Sequence, residues 1–120
     1  MWQTKEARIE LGAPRLKSIE VSARKIEDAK KNIEKRNPGG TSALEYTWGL
    51  MSKYNIDPSS LAEEEISFLS KFQDGNLHFF FGTAKDGYVL CVFLNGRKFD
   101  RRSLWLGLDW LENYRAVLEE

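Results

Sequence analysis

Two apolar runs, Asn76-Leu77-His78-Phe79-Phe80-Phe81 and Tyr88-Val89-Leu90-Cys91-Val92-Phe93-Leu94, stand six residues apart in this chain. The segment between them, Gly82-Thr83-Ala84-Lys85-Asp86-Gly87, is long enough for a hairpin and contains the Asp-Gly turn signal. The chain must therefore build around a pair of antiparallel strands whose side chains are almost wholly core material. Few residues in these runs are of a type that does chemistry.

Upstream, the apolar positions Leu16, Ile19, Ala23, Ile26 and Ile33 recur at helical spacing, with Lys30 at the skipped position of a narrow seam. This spacing predicts a helix over residues 15–36, opened by Pro14 and stopped by Asn37-Pro38-Gly39-Gly40, which also reads as a flexible joint. Ser42 and Glu45 have capping-box spacing ahead of Leu44, Trp48 and Met51, so a second helix is expected to about Tyr54. Asp57-Pro58, with Ser60 and Glu63, opens a third whose inner face is Leu61, Ile66, Leu69 and Phe72. A short strand over residues 7–11 precedes all three, since Ala7, Ile9 and Leu11 alternate with charged residues.

Downstream, Asn95-Gly96 is a two-residue turn signal, after which Arg97-Lys98-Phe99 reads as a third short strand. Leu104, Leu108, Leu111 and Leu118, widened by Trp105, Trp110 and Tyr114, then predict a C-terminal helix. The order βαααββ(β)α gives an α+β fold: three N-terminal and central helices and a C-terminal helix packed on a small antiparallel sheet. At 120 residues it is expected to be one domain spanning residues 1–120.

No stretch approaches the roughly 20 apolar residues of a membrane span. The first residues carry charges of both signs where an export signal needs an apolar stretch. One cysteine cannot form an internal disulfide, and a cytoplasmic setting is expected. The 18 basic and 18 acidic residues cancel but are not evenly spread: residues 1–37 hold ten basic and six acidic, residues 38–76 two and six. Such asymmetry bears on association rather than on fold.

Catalytic motifs are missing. His78 is the sole histidine and its neighbours are Leu77 and Phe79, so it reads as a packed strand residue without catalytic partners. One His and one Cys cannot complete the common transition-metal sets, so no metal and no cofactor are expected. Glu63-Glu64-Glu65 is explained by its place in the first turn of a helix. No nucleophile motif is present. A hydrolase acting through His78 is the remaining enzyme reading, and non-catalytic binding is favoured over it.

The expected partner is another protein, met by an inhibitor, immunity factor or adaptor. Aromatic and arginine side chains dominate such contacts, which singles out Trp110 as an exposed anchor with Arg97, Arg101 and Arg102 as charged orienters ahead of the last helix. The alternative is a nucleic-acid-binding regulator that uses the basic helix over residues 15–36, through Arg24, Lys25, Lys31, Lys35 and Arg36, together with the basic turn over residues 97–102. Phe80 or Tyr88 exposed beside those arginines would make a stacking platform for single strands. The chain is expected as a monomer, or as a homodimer through the seam of the first helix.

Overall fold

The computed structural model describes residues 13–120. In chain order the elements are β1 (Leu16–Ile19), α1 (Ile26–Ile33), α2 (Thr41–Ile56), a 3-10 turn (Pro58–Ser60), α3 (Glu63–Ser70), β2 (Leu77–Lys85), β3 (Tyr88–Asn95), β4 (Lys98–Trp105) and β5 (Tyr114–Glu119). The α+β class holds. The strand expected in residues 7–11 lies outside the described residues.

Phe79, Phe80 and Phe81 cannot share one face of a strand, because successive side chains point to opposite sides of a sheet. The fold therefore covers both faces. On one, Leu44 and Met51 of α2, Leu69 of α3 and Phe72 pack with Phe80, Val92, Phe99 and Val117. On the other, Ile26, Ala29 and Ile33 of α1 pack with Phe79, Phe81, Val89, Cys91, Ala116, Leu118 and Trp110. All three phenylalanines are buried, each contributing about 1.5–3 kcal/mol relative to exposure.

The sheet order is β1-β5-β2-β3-β4. It is mixed rather than antiparallel, because β2 and β5 run parallel through Leu77↔Tyr114, His78↔Arg115 and Phe79↔Ala116. Past Phe79 the two strands part, and Pro38-Gly39-Gly40 enters between them. The Gly39 amide donates to the Val117 carbonyl at 2.8 Å and the Gly82 amide to the Gly39 carbonyl at 2.7 Å. The expected flexible joint is thus a pinned crossing. Its glycines serve close approach, since a Cβ on Gly82 would lie 2.7 Å from the Gly39 oxygen and from the Gly40 Cα.

The single helix expected over residues 15–36 is not formed. Leu16 to Ile19 pair instead with β5, from Leu16↔Glu119 to Ile19↔Ala116, and only Ile26–Ile33 is helical. Strand β5 is buried at Ala116, Val117 and Leu118, so its backbone N–H and C=O groups need partners along both edges, and β1 supplies those on one side. The seam expected to pair two copies is consumed internally, as Ile26, Ala29 and Ile33 face the sheet.

The C-terminal helix is likewise replaced by the end of β4, a loop and β5. That loop has another task. The carbonyls of Leu108 and Leu106 accept the amides of Ile26 and Glu27, both at 2.9 Å, satisfying donors at the α1 N-terminus that would otherwise be orphaned. Leu108 and Leu111, counted toward a helix face, are exposed. The third strand is longer than the expected three residues, so Arg101 and Arg102 lie within it rather than ahead of a helix.

The second helix begins at Thr41 with Gly40 as its cap, without the Ser42–Glu45 box; the Gly40 amide donates to the Glu119 carboxylate at 3.0 Å. Asp57 caps the 3-10 turn by accepting the Ser59 amide at 3.1 Å, and α3 starts only after Ala62, whose amide donates to Glu65 at 2.9 Å. The acidic run therefore does sit in a first helical turn, while the Ser60–Glu63 box gives way to Ala62 and Glu65.

Gly82→Val forces a side chain into the Gly39-Gly40 backbone and is expected to lower unfolding free energy by about 1–3 kcal/mol or more. A urea titration followed by tryptophan fluorescence checks this; an unchanged midpoint would show that the crossing is loose.

Candidate functional site

Strand β4 borders β3 on one side only, through Tyr88↔Trp105 to Asn95↔Lys98, and lies at the edge of the sheet. Its connection to β3 is a two-residue turn, Gly96-Arg97, with Gly96 at φ 68° as the first position of a type II′ turn requires. The tight turn fixes which residues of β4 face which way. Arg101 and Arg102 are neighbours on the strand and so lie on opposite faces.

The Arg101 guanidinium sits 5.4 Å from the centre of the Trp48 ring, and that of Arg102 sits 4.9 Å from the centre of the Phe93 ring. Both ring contacts orient the cations while leaving their hydrogen-bond donors available. Arg97 and Lys98 are exposed at the turn. Among the described residues, none of these four cations forms an ion pair. Two exposed rings complete the surface: Tyr88 and Trp105, 50% and 54% exposed, are directly opposed across β3 and β4. They share the face of Arg101, because alternate residues of a strand point the same way.

Trp110 was expected to be exposed, and it is not. It is 9% exposed, its indole N–H donates to the Val21 carbonyl at 2.8 Å, and its ring meets Phe79, Phe81 and Tyr114. Its place next to Asp109 and off the leucine spacing suggested a surface only on the assumption of a helix. Trp105, counted as core on the same assumption, is the exposed indole. Phe80 is buried and Tyr88 is not, so only Tyr88 of this pair is available for stacking.

The basic residues of the expected first helix are dispersed. Arg24 and Lys25 precede α1, Lys31 lies on it, and Lys35 and Arg36 follow it. Lys25 pairs with Asp109 at 2.9 Å, and Lys30 lies 3.9 Å from Glu34. Among the described residues no continuous basic helix over 15–36 remains to track a phosphate backbone.

His78 has partners that its sequence neighbours concealed. Its ring is fully buried, with Nδ1 2.6 Å from the Ser18 hydroxyl and Nε2 2.8 Å from the Asp74 carboxylate. The neutral ring that donates from Nε2 to Asp74 and accepts from the Ser18 hydroxyl satisfies all three groups. Phe72 packs edge-on against the ring at 5.1 Å. Burial lowers the His78 pKa, opposed by Asp74 and reinforced by Arg115. The Asp74 carboxyl lies below its ordinary range: burial raises it, but the Asn76 amide and His78 more than offset this.

A serine, a histidine and an aspartate in line invite comparison with a hydrolytic triad. Nucleophile activation further needs access to substrate and donors for the developing oxyanion. Here the base is sealed under Phe72, and Ser18 lies within the β1–β5 ladder. The three residues act as a clasp that ties β1 to the α3–β2 connection. Cys91 is also no nucleophile, since burial pushes its thiol up to about 12. Among the described residues no group of three or more His, Cys, Asp or Glu is placed to hold a metal, and no helix is long and apolar enough to cross a membrane.

A groove of about 690 Å³ runs between the β1–α1 connection and the start of β5, lined by Val21, Trp110, Tyr114, Glu20 and Arg115 among others. Its one cation is already engaged: Arg115 donates to the Glu112 and Tyr114 carbonyls at 2.8 and 2.9 Å and reaches Glu20 at 3.3 Å. Comparison with family models, with curated proteins and with solved structures yields no match.

The two tryptophans separate by experiment. Trp110→Ala is expected to cost about 3–5 kcal/mol of stability and Trp105→Ala no more than about 0.5 kcal/mol, measured by urea unfolding. Equal costs would contradict the burial assigned to each.

The clasp predicts an acid-sensitive fold. A histidine with a lowered folded pKa contributes stability that is complete above its unfolded value near 6.5 and lost as pH falls toward the folded value. Asp74 acts in the same direction at lower pH. The urea midpoint is expected to fall between pH 7.5 and 5.5, and a His78→Gln variant to lose that slope. An unaltered slope in the variant would place the sensitivity elsewhere.

Proposed function

We propose that the protein acts without catalysis, by binding another protein as an inhibitor, immunity factor or adaptor does, in a reducing, cytosolic setting. The observation that carries this reading is the edge strand β4, where four cations without ion-pair partners among the described residues flank an exposed Tyr88–Trp105 pair. Arginine and tryptophan at the centre of a contact are the side chains that most often dominate its energy. Of the anchors expected from sequence, Arg97, Arg101 and Arg102 remain in this reading, and Trp105 takes the place of Trp110.

A second reading is supported by the same aromatic pair. Tyr88 and Trp105 beside Arg101 could stack the bases of a single-stranded nucleic acid, with the basic residues of β4 following its phosphates. It predicts binding that weakens steeply with salt.

Capture of partners from native lysate by the tagged chain, with and without nuclease, separates the two. An Arg101→Glu/Trp105→Ala double variant is expected to stay folded and to lose a discrete, nuclease-resistant protein partner. Retention of that partner by the folded variant would move the contact away from β4. Capture that collapses on nuclease treatment would favour nucleic acid.

A further inference from the structure

The backbone of β4 carries information that its side chains do not. Across a two-residue turn, Asn95 and Lys98 form the hydrogen-bonded pair that closes the hairpin, and the ladder then alternates. Lys98, Asp100, Arg102 and Leu104 direct their backbone groups at β3, whereas Phe99, Arg101, Ser103 and Trp105 direct theirs outward.

The outward groups are not treated alike. The Asn55 carboxamide, at the end of α2, accepts the Phe99 amide at 2.8 Å and donates to the Phe99 carbonyl at 2.9 Å, filling both positions that a neighbouring strand would use. The Arg101 amide is taken by the side chain of Asp100 at 2.8 Å, and the Trp105 carbonyl by the Leu108 amide at 3.1 Å. What stays open among the described residues is the Arg101 carbonyl, both groups of Ser103 and the Trp105 amide. Asn55 closes the ladder at one end, and the turn after Trp105 closes it at the other.

We infer that an extended, acidic segment of a partner protein adds to the sheet as a sixth strand along residues 101–105. This rests on the protein-binding reading above and specifies how the partner is held. Main-chain hydrogen bonds at Arg101, Ser103 and Trp105 supply the pairing. Carboxylates on the incoming strand meet Arg101 on one face and Arg102 on the other, with Arg97 and Lys98 extending the positive field toward the turn. Asn55 sets the register by ending the available ladder at Phe99. A second copy of the chain is a poor occupant, because each copy would bring the same four cations to the seam, and basic edge strands resist self-pairing.

The experiment uses the full chain, isotope-labelled, with a synthetic ten-residue peptide in which Glu-Glu pairs alternate with Val-Val pairs, so that carboxylates fall on both faces of the strand, and the same peptide with Lys in place of Glu. Saturable binding of the Glu peptide is expected, with amide exchange slowed at least tenfold at Ser103 and Trp105 and no binding of the Lys peptide. Ser103→Pro removes an outward amide without touching the β3 ladder, which edge strands tolerate, and should weaken the peptide at least tenfold. Binding that leaves the Ser103 and Trp105 amides of the unmodified chain unprotected would overturn strand addition, independently of how the proline variant folds. So would absence of binding, or protection of those amides by self-association alone. If Arg101→Glu loses the captured partner while folded Ser103→Pro keeps it, strand addition fails and the protein-binding reading stands; if both variants keep it, both fail.

Discussion

Three consecutive phenylalanines in β2 set the terms for everything else. A strand that is apolar on both faces can rest only inside a sheet that is covered on both sides. Placing α2 and α3 over Phe80 and α1 over Phe79 and Phe81 meets that demand. The cost is that α1 must cross from one side of the sheet to join α2 on the other, through the gap where β2 and β5 part. Pro38-Gly39-Gly40 makes that crossing, and Gly82 lets it pass close to the sheet.

The hairpin of β2 and β3 was legible in the sequence because its signals are local: an apolar run, a glycine-bounded turn and a second run. The second helix was legible for the same reason, with its end points shifted by two residues or fewer. The misread segments are those in which long-range pairing decides. Leu16 and Ile19 fit a helical stripe, yet the backbone of β5 needed a neighbour and their strand provided it. Leu104, Leu108 and Leu111 fit one too, yet the carbonyls of Leu106 and Leu108 were needed at the start of α1. Apolar spacing alone records neither requirement.

The same distinction governs the functional surface. Arg97, Arg101 and Arg102 could be singled out by residue type, but their presentation on an edge strand depended on β4 being eight residues long. Trp105 and Trp110 exchanged roles once the helix between them became a strand end and a loop. The partners of His78 lie four residues before it at Asp74 and sixty residues before it at Ser18. The spacing to Asp74 is suggestive only for a helix, and the spacing to Ser18 carries no local signal. The result is a polar clasp centred on the buried His78 on one side of the molecule and an open, positively charged sheet edge on the other side of the strand order, β1 and β4 being its two ends.

Binding along β4 requires that this strand be an open edge with alternate rungs available. Amide hydrogen exchange of the free protein, resolved residue by residue, tests this most directly. Arg102 and Leu104 should exchange slowly through their bonds to β3, Phe99 should be protected by Asn55, and Ser103 and Trp105 should exchange freely. Uniform protection from Phe99 to Trp105 would mean that the edge is already covered, and the binding surface assigned to β4 would not exist.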